Sequence, residues 1–184
     1  RTREQSLEEL ANIKKEFPDL KIRLDAATTF GCPYAGVVKE DLVLSLIEGA
    51  LPNIDTINLC DTIGVANPKQ VYDIVNLVAK NFPDILLCLH LHDTRGMGLA
   101  NTFAGLQAGI TMFETSIGGL GGCPFAPGAA GNTATEDMLN MLQAMNVKTG
   151  INGKKYLEAV KMVKNLIEPS LTGHMVNACR YDAF

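Results

Sequence analysis

His90 and His92 stand one residue apart at the end of an otherwise aliphatic run, Ile85-Leu86-Leu87-Cys88-Leu89-His90-Leu91-His92, and Asp93 follows at once. In a β-strand, side chains two apart share a face. Ile85, Leu87, Leu89 and Leu91 then form one apolar face. Leu86, Cys88, His90 and His92 form another, which turns polar toward its C-terminal end. A strand buried in a parallel sheet is ordinarily apolar on both faces, so two histidines here require partners. They lie about 6.6 Å apart at roughly 3.3 Å per residue, near enough for both imidazoles to converge on one ion, with Asp93 as a nearby carboxylate. Two histidines hydrogen-bonded within a core would give the same pattern.

Three further segments bring reactive residue types together. Residues 118–132, GGLGGCPFAPGAAGN, hold six glycines and two prolines in fifteen positions. That composition excludes helix and strand and lets backbone approach a ligand closely. Cys123 at its centre is a candidate general acid/base, or else a small packed thiol. Asn132 closes the loop and either caps the next helix or offers an amide oxygen to a hard cation; Thr133-Ala134-Thr135-Glu136 reads as a capping box opening that helix. In Asn58-Leu59-Cys60-Asp61-Thr62-Ile63-Gly64, Asp61 ends a strand and suits a substrate or proton-relay role, or caps the helix that starts near Pro68. Thr29-Phe30-Gly31-Cys32-Pro33-Tyr34 is a second Gly-Cys-Pro loop, with Cys32 read as structural.

The elements that must carry these residues follow from periodicity. β-rich runs at 21–28, 56–61, 85–92 and 111–116 alternate with helical patterns at about 39–50, 68–80 and 97–108. A helix over 4–16 precedes them, and helices near 134–146 and 153–167 follow. Such alternation predicts βαβ units and a parallel sheet. The strand ends recur every 24–34 residues, the repeat of a (β/α)8 barrel whose eight units fill roughly 250 residues and whose active site lies at the C-terminal ends of the strands. Only four units are present, so the expected fold is an α/β (TIM) barrel represented by its last four βα units. Residues 1–150 would belong to the barrel, and 151–184 would form a C-terminal helix and tail.

Composition bounds the function. The 184-residue chain carries a net charge of −4 and scattered Lys and Arg, which argues against nucleic-acid binding. No apolar stretch approaches the roughly 18 residues of a membrane span. Five widely separated cysteines, Cys32, Cys60, Cys88, Cys123 and Cys179, include no CxxC pair, which points away from a zinc ribbon and toward a reducing compartment.

HLHDTRG (90–96), GLGGCPFAPGAAGNTATED (119–137), LCDTIGV (59–65) and FGCPYAG (30–36) closely resemble the 3-hydroxy-3-methylglutaryl-CoA lyases, in that family's order and spacing, over residues from about 5 to 150. The resemblance implies a (β/α)8 barrel with one divalent cation, Mg2+ or Mn2+. It assigns His90, His92 and Asn132 as three ligands, with His90 also a candidate for proton transfer, Cys123 as the mobile-loop cysteine, Asp61 as the strand-six aspartate and Glu136 as a functional glutamate. It further implies an acyl-CoA substrate, a homodimer and a cytoplasmic or mitochondrial-matrix location. The implied reaction is retro-Claisen cleavage to acetoacetate and acetyl-CoA. The family's first-strand Arg-Asp-Glu motif is absent with strands one to four, so the chain reads as a fragment needing an N-terminal half-barrel. Two rival expectations are a condensing synthase of the same superfamily, isopropylmalate- or homocitrate-synthase-like, and a non-catalytic barrel segment. The synthases usually follow the histidine pair with Asn-Asp and lack the Gly-Gly-Cys-Pro loop.

Overall fold

Alternation along the strands decides how the chain layers. The computed structural model describes residues 2–122, 131–167 and 170–178. Strands β1 (Arg23–Ala26), β2 (Thr56–Asp61), β3 (Leu86–Leu91) and β4 (Met112–Glu114) form a four-stranded sheet in that order, with every neighbouring pair parallel. Helix α1 (Arg3–Glu16) precedes β1. Helices α2 (Glu40–Ala50), α3 (Pro68–Asn81) and α4 (Gly98–Gln107) join the successive strands, and α5 (Thr135–Ala144) and α6 (Gly153–Leu166) follow. The expected order is met throughout, although β1 and β4 are shorter than the β-rich runs that contain them.

One face of the sheet holds Ile57, Leu59, Leu89 and Leu91, which pack with Val43 and Ile47 of α2, Val71, Val75 and Val78 of α3 and Ala104 of α4. Burying each such side chain is worth about 1.5–3 kcal/mol. Register therefore follows from this face, because a one-residue slip would exchange every aliphatic side chain for one from the other face. The registered residues of the opposite face are Asp25, Asn58 and Cys88 in one row, and Cys60, His90 and Glu114 in the next. The hydrophobic effect thus sets the histidines on the inner side of the curved sheet without acting on them directly.

Helix α3 shows how local chemistry starts an element here. Asn67 accepts from Gln70 N at 3.0 Å, Pro68 occupies the first turn, and Lys80 lies in the last. Asn67, and not Asp61, is its cap. The capping box expected at Thr133–Glu136 does not form. The residue before α5 is Ala134, which offers no side-chain hydrogen bond. Thr133 Oγ1 instead donates to Leu91 O at 2.9 Å, and Glu136 accepts from Gly118 N at 3.0 Å. Both side chains are bound by tertiary partners before they can serve the helix end. No helix among the described residues is long and apolar enough to cross a membrane.

Candidate metal centre and active site

The C-terminal end of β3 is stitched to the segment beyond the glycine-rich loop. Asp93 N donates to Gly131 O at 3.0 Å, and Thr133 N donates to Leu91 O at 3.0 Å. These bonds bracket an antiparallel bridge between His92 and Asn132. Two residues 40 apart in sequence are thereby held side by side at the mouth of the sheet.

His90 Nε2 and His92 Nε2 are 3.3 Å apart. Two imidazole lone pairs cannot face one another at that distance, so a proton or a cation must lie between them. Asn132 Nδ2 donates to Leu120 O at 2.7 Å, which orients the amide, while its buried Oδ1 has no hydrogen-bond partner. A buried carbonyl left unpaired is costly and marks a position for a ligand. Burial, and then the neighbouring His90, hold the His92 imidazole below its ordinary pKa, so it stays neutral, the form that ligates. Two nitrogens and one amide oxygen fit a hard or borderline divalent cation. Among the described residues, no group of three or more His, Cys, Asp or Glu side chains could hold a metal. The set present is a partial one.

Asp93 does not join it. Its Oδ1 accepts from Gly98 N at 2.6 Å and organises the start of α4. Asp61 is buried at the end of β2, where its two oxygens accept from Val65 N at 2.9 Å and Ala66 N at 3.0 Å. Burial raises its pKa against the lowering effect of those amides. The turn it organises contains Gly64, at φ +64°, where a side-chain carbon would meet Thr94 Oγ1 at 2.6 Å. Asp61 therefore sets the spacing between its own loop and the His-Asp-Thr segment. Glu136 is fully buried behind the site, its Oε2 on Gly118 N and its Oε1 without a hydrogen-bond partner. Burial pushes its carboxyl up, opposed by its own and the Gly118 backbone amides. Cys123 and Cys179 lie outside the described residues. Cys60 and Cys88 are buried, and burial drives their thiols up to about 12 and about 11, which removes both as nucleophiles.

Sequence reasoning missed the residues behind His90. Glu114 Oε2 lies 3.2 Å from His90 Nδ1 and accepts from Asn58 Nδ2 at 2.7 Å, while Arg23 pairs with Oε1. Arg23 Nε also donates to Asp25 Oδ1 at 2.9 Å. The signal was present: Arg23, Asp25 and Glu114 are charged residues inside short strands, at positions that need partners.

Fold and site together define a class, namely the strands of a (β/α)8 barrel with an imidazole pair and an amide oxygen at their C-terminal ends. The HMGL-like family model matches residues 2–163, and the chain belongs to this family. It is 46% identical over 147 residues to a hydroxymethylglutaryl-CoA lyase of Bacillus subtilis, which covers 79% of this chain and 49% of that protein. It is 40% identical over 157 residues to the (R)-citramalyl-CoA lyase of Chloroflexus aurantiacus, covering 83% of this chain and 49% of the relative. Among solved structures, an HMG-CoA lyase from A. baumannii in complex with coenzyme A and 3-methylmalate superposes with a TM-score of 0.92 at 37% identity. That match covers 100% of this chain and 61% of the other. The chain spans about half the length of the curated relatives it matches.

Proposed function

We propose that this chain supplies the C-terminal half of the catalytic face of a metal-dependent carbon–carbon lyase, which cleaves 3-hydroxy-3-methylglutaryl-CoA to acetoacetate and acetyl-CoA. The observation that carries the reading is the convergence of His90 and His92 at 3.3 Å beside the unpartnered Asn132 Oδ1. These three residues would hold Mg2+ or Mn2+. When bound, such a cation lowers the pKa of a coordinated hydroxyl and stabilises developing negative charge, worth several kcal/mol.

The chain's own residues do the rest. A general base takes the proton of the substrate's tertiary hydroxyl, the hydroxyl oxygen becomes the ketone carbonyl of acetoacetate, and the neighbouring carbon–carbon bond breaks. The electron pair passes to the thioester as an enolate, which a general acid protonates on carbon. Cys123, on the glycine-rich loop, is the proposed acid; proton transfers of this kind are worth about 10²–10⁴-fold each. Asp61 keeps the β2 loop against Thr94, and Glu136 holds the base of the glycine-rich loop through Gly118 N. Coenzyme A in the similar solved structure supports an acyl-CoA substrate here.

The 40% identity to a citramalyl-CoA lyase favours one second reading, the same cleavage on a different 3-hydroxyacyl-CoA. The test is to assay the intact polypeptide that carries these residues on both thioesters, with Mg2+ and then with EDTA. Acetoacetate from the first substrate, abolished by the chelator, supports the proposal. Chelator-sensitive release of acetyl-CoA from citramalyl-CoA alone moves it to the second reading, and chelator-insensitive cleavage refutes the metal centre.

A further inference from the structure

His90 has a second ring nitrogen, and what touches it decides what the first can do. Glu114 faces His90 across the β3–β4 register, with Oε2 3.2 Å from Nδ1. An ionised carboxylate only accepts hydrogen bonds, so Nδ1 carries the proton and Nε2 presents its lone pair toward His92.

The carboxylate is itself held from two sides. Asn58 Nδ2 donates to Oε2 at 2.7 Å from β2, and the Arg23 guanidinium pairs with Oε1 from β1. Asn58 is fixed in turn by Asp25 Oδ1 at 3.2 Å, which also takes Arg23 Nε. One polar row thus crosses all four strands and ends on His90. The row also ties β1 to β4, and in this chain its charged side chains are 41% exposed for Arg23, 52% for Asp25 and 32% for Glu114.

We propose that Glu114 is the positioning residue of the metal centre: it accepts the hydrogen bond of His90 Nδ1–H, fixes the ring's orientation and tautomer, and leaves Nε2 free to ligate. Arg23 and Asn58 hold Glu114 in place for this. The inference rests on the metal-centre reading above and adds a residue outside the ligand set. Partners of this kind on ligating imidazoles typically change metal affinity about 10–100-fold.

The test uses the intact polypeptide as wild type, Glu114→Ala and Glu114→Asp, with two readouts besides turnover. Nitrogen-15 shifts of the imidazoles, assigned with His92→Asn, report the His90 tautomer, and electron paramagnetic resonance reports Mn2+ affinity. The expected result is a wild-type His90 protonated at Nδ1. Glu114→Ala should mix the tautomers and weaken Mn2+ binding about 10–100-fold, and Glu114→Asp should recover most of the loss. Glu114→Met fills the same space without an acceptor and must repeat the loss if the alanine variant does not fold. A wild-type His90 protonated at Nε2 overturns the proposal. So does a folded Glu114→Ala or Glu114→Met that binds Mn2+ within about threefold of wild type, well short of the loss typical of such partners. A wild-type protein that binds no Mn2+ overturns the metal centre itself, and this inference with it.

Discussion

An amide oxygen with nothing to bind and two imidazole nitrogens at contact distance are expensive features to bury, and their position at the mouth of the sheet gives them a use. Asn132→Ala should weaken Mn2+ binding of the intact polypeptide by at least about 10-fold, since even groups one shell further out cost 10–100-fold; isothermal titration measures this. Cys123→Ala should lower turnover about 10²–10⁴-fold, as loss of a general acid does, while leaving Mn2+ affinity unchanged. Equal losses in both quantities would remove Cys123 from proton transfer. The histidine pair was legible because two titratable rings on a buried strand break the apolar pattern. Glu114 was not singled out, because a lone acid in Met112-Phe113-Glu114 says nothing about which side chain it meets across the sheet. The partners of Asp61 were equally hidden, since a strand-end Asp followed by Thr fits a cap, a relay or a turn.

Elements place these residues through a few close approaches. Gly64 sits at φ +64° with Thr94 where a side-chain carbon would be, so Gly64→Ala should destabilise the protein by about 1–2 kcal/mol for the backbone alone, with a further cost from the contact. Denaturant unfolding with an unchanged m-value would register it. The segment after α6 carries a second device. Gly118 O accepts from Thr172 N at 3.0 Å and Gly173 N at 3.3 Å. Asp137 accepts from His174 N and Nδ1, each at 2.8 Å, and from Met175 N at 2.7 Å. The tail thus straps the base of the glycine-rich loop to α5. The sequence around His174 does not signal this role, because contacts spanning 37 to 54 residues leave no periodicity to detect. The hydrogen bond from His174 to Asp137, then the charge of that carboxylate, with Asp93 adding, raise the His174 pKa above 6.5. A raised folded-state value means that this stabilisation is complete below pH 6.5 and is lost as pH rises through the raised value. The His174 side chain is 78% exposed, so the effect is at most about 1 kcal/mol. His174→Ala should therefore lower the melting temperature more at about pH 5.5 than at about pH 8.5, and an equal drop at both would show that charge is not involved.

At the scale of the whole molecule, parts of the inner face of the four parallel strands stay open among the described residues, with Leu86 at 59% and Met112 at 40% exposure. A cavity of about 650 Å³ opens between α1, β1 and α2, lined by Leu7, Leu10, Leu24, Val43 and Leu46. Among the described residues, β1 and β4 are both edges. Open edges and large apolar surfaces invite association. The 184 residues produced alone should therefore bind a hydrophobic dye and self-associate beyond a dimer, whereas a polypeptide with all eight βα units should do neither. A monomeric, dye-silent chain would contradict this. The overall architecture was legible because the strands and α-helices each carry their own period. The openness of the sheet followed from counting those strands against the eight a barrel needs. The central claim is that His90, His92 and Asn132 form one side of a divalent-metal site. The most direct measurement is anomalous diffraction at the manganese edge from crystals of the intact polypeptide grown with Mn2+. The account predicts one strong peak within ligand distance of His90 Nε2, His92 Nε2 and Asn132 Oδ1. Full density for the protein with no peak there, or a peak held by other residues, would contradict it.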